Sequence, residues 1–390
     1  MSKYEELQNE IRFLNAETAE QRLENLKTLI NNEVQTPTVR PEFANNHIHT
    51  IYSFSPYSPT AAVYMARAEG LETAGIMDHD SIGGAEEFRL AGKIAGIGTT
   101  CGMECRVSLE GTSLAGKRLN NPDQSGVAYM AIHSVPYTGF SRLQKFFAPL
   151  REKRNARNKL MLAKINELTS PYGIILDFEK DVLSISHYHE GGSVTERHLL
   201  YALCDKILSV KGREHCVKFI TDDLKISLSE KQISQLSCPE SAHFLYDMLG
   251  IMKANLVDKI YIPATDECPR LSEIVKLSSE VGAILCYPYL GDVKESPTGD
   301  KKAQKFEDDF LDELFPTLQE EGVKAITYMP ARNTPEQIAR LQNLCRKYKM
   351  TEISGEDVNS SRQSMICPQL AKPEFRHLVD MAWTLVKREQ

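Results

Sequence analysis

Two histidines one residue apart, His47 and His49, end a β-prone run in Asn46-His47-Ile48-His49-Thr50. Alternate side chains of an extended strand share a face, so both imidazoles can reach one ion. Three further segments end short β-prone runs on metal-capable side chains. They are Ile76-Met77-Asp78-His79-Asp80, Cys101-Gly102-Met103-Glu104-Cys105 and Ser354-Gly355-Glu356-Asp357-Val358-Asn359. Histidine and carboxylate sets accept Zn, Mn or Fe, and ions held by them generate a hydroxide nucleophile from bound water. An HxH alone is a weak signal. Four such segments in order, each followed by a helix-like stretch, point to a metal centre on an α/β scaffold.

The elements that must carry these residues can be read from periodicity. Strand candidates end near His49, Met77, Met103, His133, Tyr287, Tyr328 and Ser354. Amphipathic helices are expected over 59–69, 84–95, 151–168, 270–281, 305–320 and 335–348. Repeated βα units predict a parallel sheet, closed or nearly closed into a barrel, with its site at the C-terminal strand ends. Residues 199–269 break the rhythm and read as a helical insertion over or beside the barrel mouth. Residues 1–40 form a helix and linker ahead of the barrel domain at 41–390. Over 4–33, Leu7, Ile11 and Leu14, then Leu23, Leu26 and Ile30, mark a narrow apolar face interrupted at Thr18. Such a face suits docking on the barrel or a small homodimer contact.

Bulk properties narrow the function. The chain has 390 residues and a net charge of −7, which is no footprint for indiscriminate nucleic-acid binding. Stable nucleic-acid binding is therefore not expected. The start, MSKYEELQNE, lacks a signal layout, and no apolar run approaches membrane-helix length, so a cytoplasmic location and no membrane association are expected. Nine scattered cysteines without a CxxC pair suggest neither a zinc ribbon nor a disulfide framework. Cys101 and Cys105, flanking Glu104, read better as small buried thiols than as ligands.

Seven short motifs in order resemble the PHP family (polymerase and histidinol phosphatase), in particular its metal-dependent phosphoesterases with a helical insertion. They are HIHT at 47–50, MDHDSIGGAEEF at 77–88, GMEC at 102–105, TERHLLYAL at 195–203, ILCYPYLGD at 284–292, TPEQ at 334–337 and SGEDVN at 354–359. The resemblance implies an α/β fold, a distorted (β/α)7 TIM-like barrel, with up to three divalent ions in its mouth. It implies a first ion on His47, His49, Glu104 and Asp357. A second would share Glu104 and add His198 and a later histidine, whose position here is Tyr287. A third would use His79, a residue at Phe54 or Ser55, and Asn359 in place of a histidine. The replacements spare the first ion and thin the others, so one firmly held ion and one or two weaker sites are expected.

A site of this kind suits hydrolysis of a small phosphate monoester or nucleotide. Asp78 and Asp80 bracket His79 and are expected to orient it or a bound water, with direct metal ligation by Asp78 as the alternative. Arg197, Arg332 and Arg362 are candidate phosphate binders, because a guanidinium matches a phosphate face. Two other readings remain open: a PHP-like binding or regulatory protein with weakened turnover, and a metal-dependent hydrolase of a non-phosphate substrate. His187 and His189 form a second HxH that reads as a loop or rim pair. His133 could line the mouth or form part of the wall. No nucleophile elbow, phosphate loop or dinucleotide fingerprint occurs.

Overall fold

The computed structural model describes residues 2–238, 240–295, 302–304 and 307–389. Nine strands follow one another among them: β1 (Asn45–Ile48), β2 (Thr73–His79), β3 (Gly98–Ser108), β4 (Val127–His133), β5 (Ile284–Tyr289), β6 (Val293–Glu295), β7 (Lys302–Gln304), β8 (Ala325–Tyr328) and β9 (Thr351–Ser354). β6 and β7 pair only with each other, and the remaining seven form one sheet in the order β1-β2-β3-β4-β5-β8-β9. The two ends of this sheet meet. Ile48 bridges Val358 in parallel, the His49 N–H donates to the Val358 carbonyl at 2.9 Å, and the Val358 N–H donates to the His47 carbonyl at 3.1 Å. The sheet therefore curls into a barrel-like body, as the alternation of elements predicts.

One strand departs from expectation. β4 runs antiparallel to both β3 and β5, whereas the rest of the sheet is parallel. β3 extends to Ser108 and the chain returns through 109–126 without the helical crossover that usually joins parallel strands. His133 consequently pairs with Ile284, the first residue of β5, and shares the inward parity of Ala131. It is buried, its Nε2 makes no hydrogen bond, and burial together with the nearby His47 pushes its imidazole down to about 3.

The barrel interior is filled by Met77, Ala131, Cys286, Ala325 and Ile353, one from each of five strands, together with Leu385. Leu385 belongs to α14 (Arg376–Arg388), the last of fourteen α-helices among the described residues. The Ser134 hydroxyl donates to its carbonyl, and the Glu389 carboxylate accepts from the Cys101 N–H at 2.8 Å. The C-terminal helix thus stoppers the barrel from below. The outer face of the sheet packs on helices that begin where their caps predict. Ser58 caps α4 (Pro59–Ala68), with proline at the first turn, and Thr334 forms a capping box with Gln337 ahead of α13 (Pro335–Tyr348). α5 (Ala85–Ala95), α11 (Leu271–Glu280) and α12 (Leu311–Glu321) complete this layer.

The N-terminal segment is three helices, not one: α1 (Lys3–Glu6), α2 (Gln8–Leu14) and α3 (Ala19–Asn31). The break falls at Thr18, whose side chain caps α3 and so ends the stripe there. Ile11, Leu14 and Leu26 are fully buried in the main core, and Arg22, at 0% exposure, forms a two-pronged ion pair with Glu87 of α5 at 2.9 and 2.6 Å. The apolar stripe is thus spent on this chain's own barrel.

A second core belongs to the helical body. It includes Met161, Ile165 and Val194, well before residue 199, as well as Ile207, Met252 and Ile260. Its frame is the second half of α6 (Phe140–Thr169), α7 (Glu196–Lys211), the short α8 (Cys216–Lys218) and α9 (Glu230–Leu236), and α10 (Phe244–Ile260). Among the described residues no helix is long and apolar enough to cross a membrane.

Candidate metal centre

The alternation of side chains along each strand assembles the site. Met77 on β2 points into the barrel, so His79 does too and Asp78 points away. On β3 the buried Cys101, Met103 and Cys105 face the helices, which turns Glu104 inward. His79 and Glu104 are register partners. His47 and His49 enter from β1. Asp357 reaches them because Gly355 lets the chain after β9 cross β1 closely: a Cβ there would lie 2.6 Å from the His47 Cβ.

Glu104 is the hub. Its Oε1 lies 2.9 Å from His79 Nδ1 and 3.3 Å from His49 Nε2, and its Oε2 lies 3.7 Å from His47 Nε2. His49 Nε2 also lies 3.1 Å from Asp357 Oδ1. Two overlapping sets result, His47–His49–Asp357 and His49–His79–Glu104, each with its ligand atoms within 4.8 Å of one another. Burial alone would raise the Glu104 carboxyl, yet the His79 and His47 rings hold it well below the ordinary range. Asp357 is lowered in the same way by His49, whose own pKa is raised by Asp357 and Glu104 against the effect of burial.

Metal fits this donor set. The buried Nε2 atoms of His47 and His49 make ionic contacts but no well-formed hydrogen bond, and the buried Asn359 Oδ1 is also without one. Buried polar atoms are seldom left in this state unless something else satisfies them. Nitrogen and carboxylate donors converging from separate strands are what a divalent ion requires.

Several expected residues play different parts. His198 sits in the first turn of α7, and its Nδ1 accepts a hydrogen bond from the Thr195 N–H at 3.0 Å. Burial pushes its pKa down to about 3, so the ring is neutral and its single proton must sit on Nε2. In this geometry His198 offers a donor, not a ligand lone pair. Tyr287 does not join the cluster either. Cys286 occupies the interior, so Tyr287 faces the outer layer, where its hydroxyl donates to Glu307 and accepts from the Asn120 N–H at 3.2 Å. Asn359 lies beside the centre, its amide donating to Asp357 Oδ1 at 2.7 Å.

Asp78 and Asp80 serve neighbours other than His79. Asp78 accepts from the Thr50 N–H at 2.7 Å, the Thr50 hydroxyl at 2.6 Å and the Ser53 hydroxyl at 2.6 Å, which shapes the turn after the HxH. Asp80, with φ of 49°, pairs with Arg154, and its carbonyl accepts from Arg151 at 3.1 Å. Phe54, at the position of an expected third-ion ligand, has φ of 98° and packs edge-on against His198 and Tyr201. Ser55 is buried beside it.

Arg197 donates to the Asn359 carbonyl at 3.5 Å, and Arg332 donates to the Leu290 carbonyl at 2.9 Å. Arg362 is paired with Asp247 on α10. His187 pairs with Glu190, consistent with a rim position. Sequence reasoning missed a buried arginine group flanking the centre: Arg106, Arg154 and Arg157, tied to Glu196 and Glu267. The three-residue spacing of Arg151, Arg154 and Arg157 puts them on one face of α6 and was the available signal.

The chain shares its fold with two solved structures. One is a protein from Bifidobacterium adolescentis described as a metal-dependent phosphoesterase, with a TM-score of 0.55 and 18% identity, covering 89% of this chain and 98% of that one. The other is an amidohydrolase from Chromobacterium violaceum, solved with sulfate and no metal, with a TM-score of 0.53 and 15% identity, covering 87% and 96%. A 5′-3′ exoribonuclease of Haemophilus influenzae is 35% identical over 68 residues, which span 17% of this chain and a quarter of that protein. No family model matches the chain.

Proposed function

We propose that this protein is a metal-dependent hydrolase of phosphate esters, acting on a small phosphate monoester or a nucleotide, as its resemblance to the PHP family implies. The observation that carries this reading is the convergence of His47, His49, His79, Glu104 and Asp357, with the buried Nε2 atoms of His47 and His49 in ionic contact with carboxylates but without a hydrogen bond. Zn, Mn or Fe bound there would supply an activated water and neutralise charge on a phosphoryl oxygen. His47, His49, Glu104 and Asp357 would hold the firmer ion, and His79 with Glu104 a weaker one.

The chain's own groups complete the chemistry. The His198 Nε2–H is a neutral donor suited to a phosphate oxygen. Arg197, whose guanidinium donates to the Asn359 carbonyl, is the cation placed to meet an anionic substrate, whereas Arg154 and Arg157 of α6 are held in ion pairs with Asp80, Glu196 and Glu267. The name of the Bifidobacterium neighbour supports a phosphate ester, and that of the Haemophilus relative supports a nucleotide. The net charge of −7 favours a small substrate over a long polyanion.

The test is phosphate release from p-nitrophenyl phosphate and a panel of nucleotides with Mn²⁺, Zn²⁺ or Fe²⁺. His49→Ala and Asp357→Ala serve as controls. Metal-stimulated turnover lost in both variants supports the reading. Ligand binding without turnover would favour the binding-protein alternative, for which the replacements at Phe54 or Ser55, Tyr287 and Asn359 are the motivation. Turnover of non-phosphate esters or amides alone would overturn the substrate class.

A further inference from the structure

We infer that Ser53 is the positioning residue of the metal centre, fixing which nitrogen of His49 faces the ion. The inference rests on reading the cluster as a metal site. Ser53 is 1% exposed and lies four residues after His49, outside every motif with a metal-capable side chain. Its hydroxyl donates to Asp78 Oδ1 at 2.6 Å, and the same oxygen lies 3.1 Å from His49 Nδ1.

A serine hydroxyl has one proton. With that proton given to Asp78, the oxygen can only accept from His49, so Nδ1 must carry a hydrogen. Nε2 is then the nitrogen left to face Asp357 and Glu104, 3.1 and 3.3 Å away, and to meet an ion held by them. Asp78 is itself held by the Thr50 N–H and hydroxyl, so the relay is anchored to the backbone one residue beyond the HxH. A histidine ligand whose second nitrogen is held this way is fixed in both tautomer and ring orientation. The relay also explains why an aspartate beside His79 should matter: its carboxylate crosses to the neighbouring strand's turn and acts on His49.

The experiment reads the His49 Nδ1 proton by ¹⁵N-histidine NMR in metal-free protein, assigned through His49→Asn, and then measures Mn²⁺ affinity by calorimetry. Wild type should show a slowly exchanging Nδ1–H. Ser53→Ala should lose its protection from exchange and bind Mn²⁺ about tenfold more weakly or worse, while melting near the wild-type temperature. Ser53→Thr, which keeps the hydroxyl, should retain the proton. An unprotected Nδ1 in wild type, or unchanged protection and affinity in Ser53→Ala, would overturn the assignment. A protected proton in wild type that binds neither Mn²⁺ nor Zn²⁺ would instead refute the metal reading and leave the relay standing.

Discussion

His79 and Glu104 sit directly opposite each other on β2 and β3, with His79 Nδ1 2.9 Å from Glu104 Oε1. The same carboxylate touches His49 and His47, so one acid serves three imidazoles drawn from two strands. Removing it should therefore affect both candidate ion sets. Glu104→Gln keeps the shape and removes the charge. Its affinity for Mn²⁺ should fall by more than about a hundredfold, beyond what loss of an outer-shell partner costs. His79→Ala should spare the firmer ion. Metal content measured after purification without chelator separates the two. Wild type should hold one tightly bound ion per chain, and three would refute the proposed distribution.

How much of this was legible in the sequence follows from what a pattern encodes. The spacing of His47 and His49 and the inward side of Glu104 survive into the structure because alternation along a strand is a local property, but Glu104 sits within β3, which runs on to Ser108, and Asp357 lies three residues past β9. Strand direction is not local, and nothing in Val127–His133 announces that β4 runs backwards; only the helix-free return after Ser108 reports it. Adjacency misled at Asp78, which lies next to His79 in sequence and on the opposite face in space. Parity also explains Tyr287: its place in a motif was clear, but Cys286 holds the inward position. The hydrogen bond that occupies His198 Nδ1 comes from the Thr195 N–H at the helix cap, which no motif announces.

Phe54 carries a backbone conformation that favours glycine, with φ of 98°, and its ring is held by His198, Tyr201 and Tyr246. Truncation to alanine should cost about 3–5 kcal/mol from lost burial. Phe54→Gly removes the same ring but also relieves the strained conformation, which costs on the order of 1–3 kcal/mol in a residue with a Cβ. The glycine variant should therefore melt above the alanine variant, the reverse of the usual order. Thermal denaturation of the pair decides it; a lower melting temperature for Phe54→Gly would show that the surroundings bear no strain.

The N-terminal segment is tied to the barrel by the buried pair of Arg22 and Glu87, and Glu87 also accepts from the Thr60 N–H and hydroxyl. Arg22→Ala leaves a carboxylate buried without its cation and frees the carbonyls of Ala16 and Glu17. Breaking such a pair costs about 3–5 kcal/mol. Urea unfolding should show a loss of this size, with the N-terminal helices more open to protease. A loss below about 1 kcal/mol would mean that the segment is held by its apolar face alone.

Glu389 links the stopper helix to β3, accepting from the Thr100 hydroxyl and the Cys101 N–H. Burial pushes its carboxyl up from 4.5 to about 7. A carboxyl raised on folding favours the protonated form, so its stabilisation is full below the unfolded value and is lost as pH rises through the folded one. Between about pH 4.5 and pH 7 the protein should lose up to about 3 kcal/mol from this group. Glu389→Gln resembles the protonated acid and should flatten that part of the profile, leaving the variant more stable than wild type at pH 8 and similar at pH 5. Denaturant midpoints at the two pH values provide the measurement. An equal effect at both would show that Glu389 ionises freely and that its hydrogen bonds to β3 hold the carboxylate form.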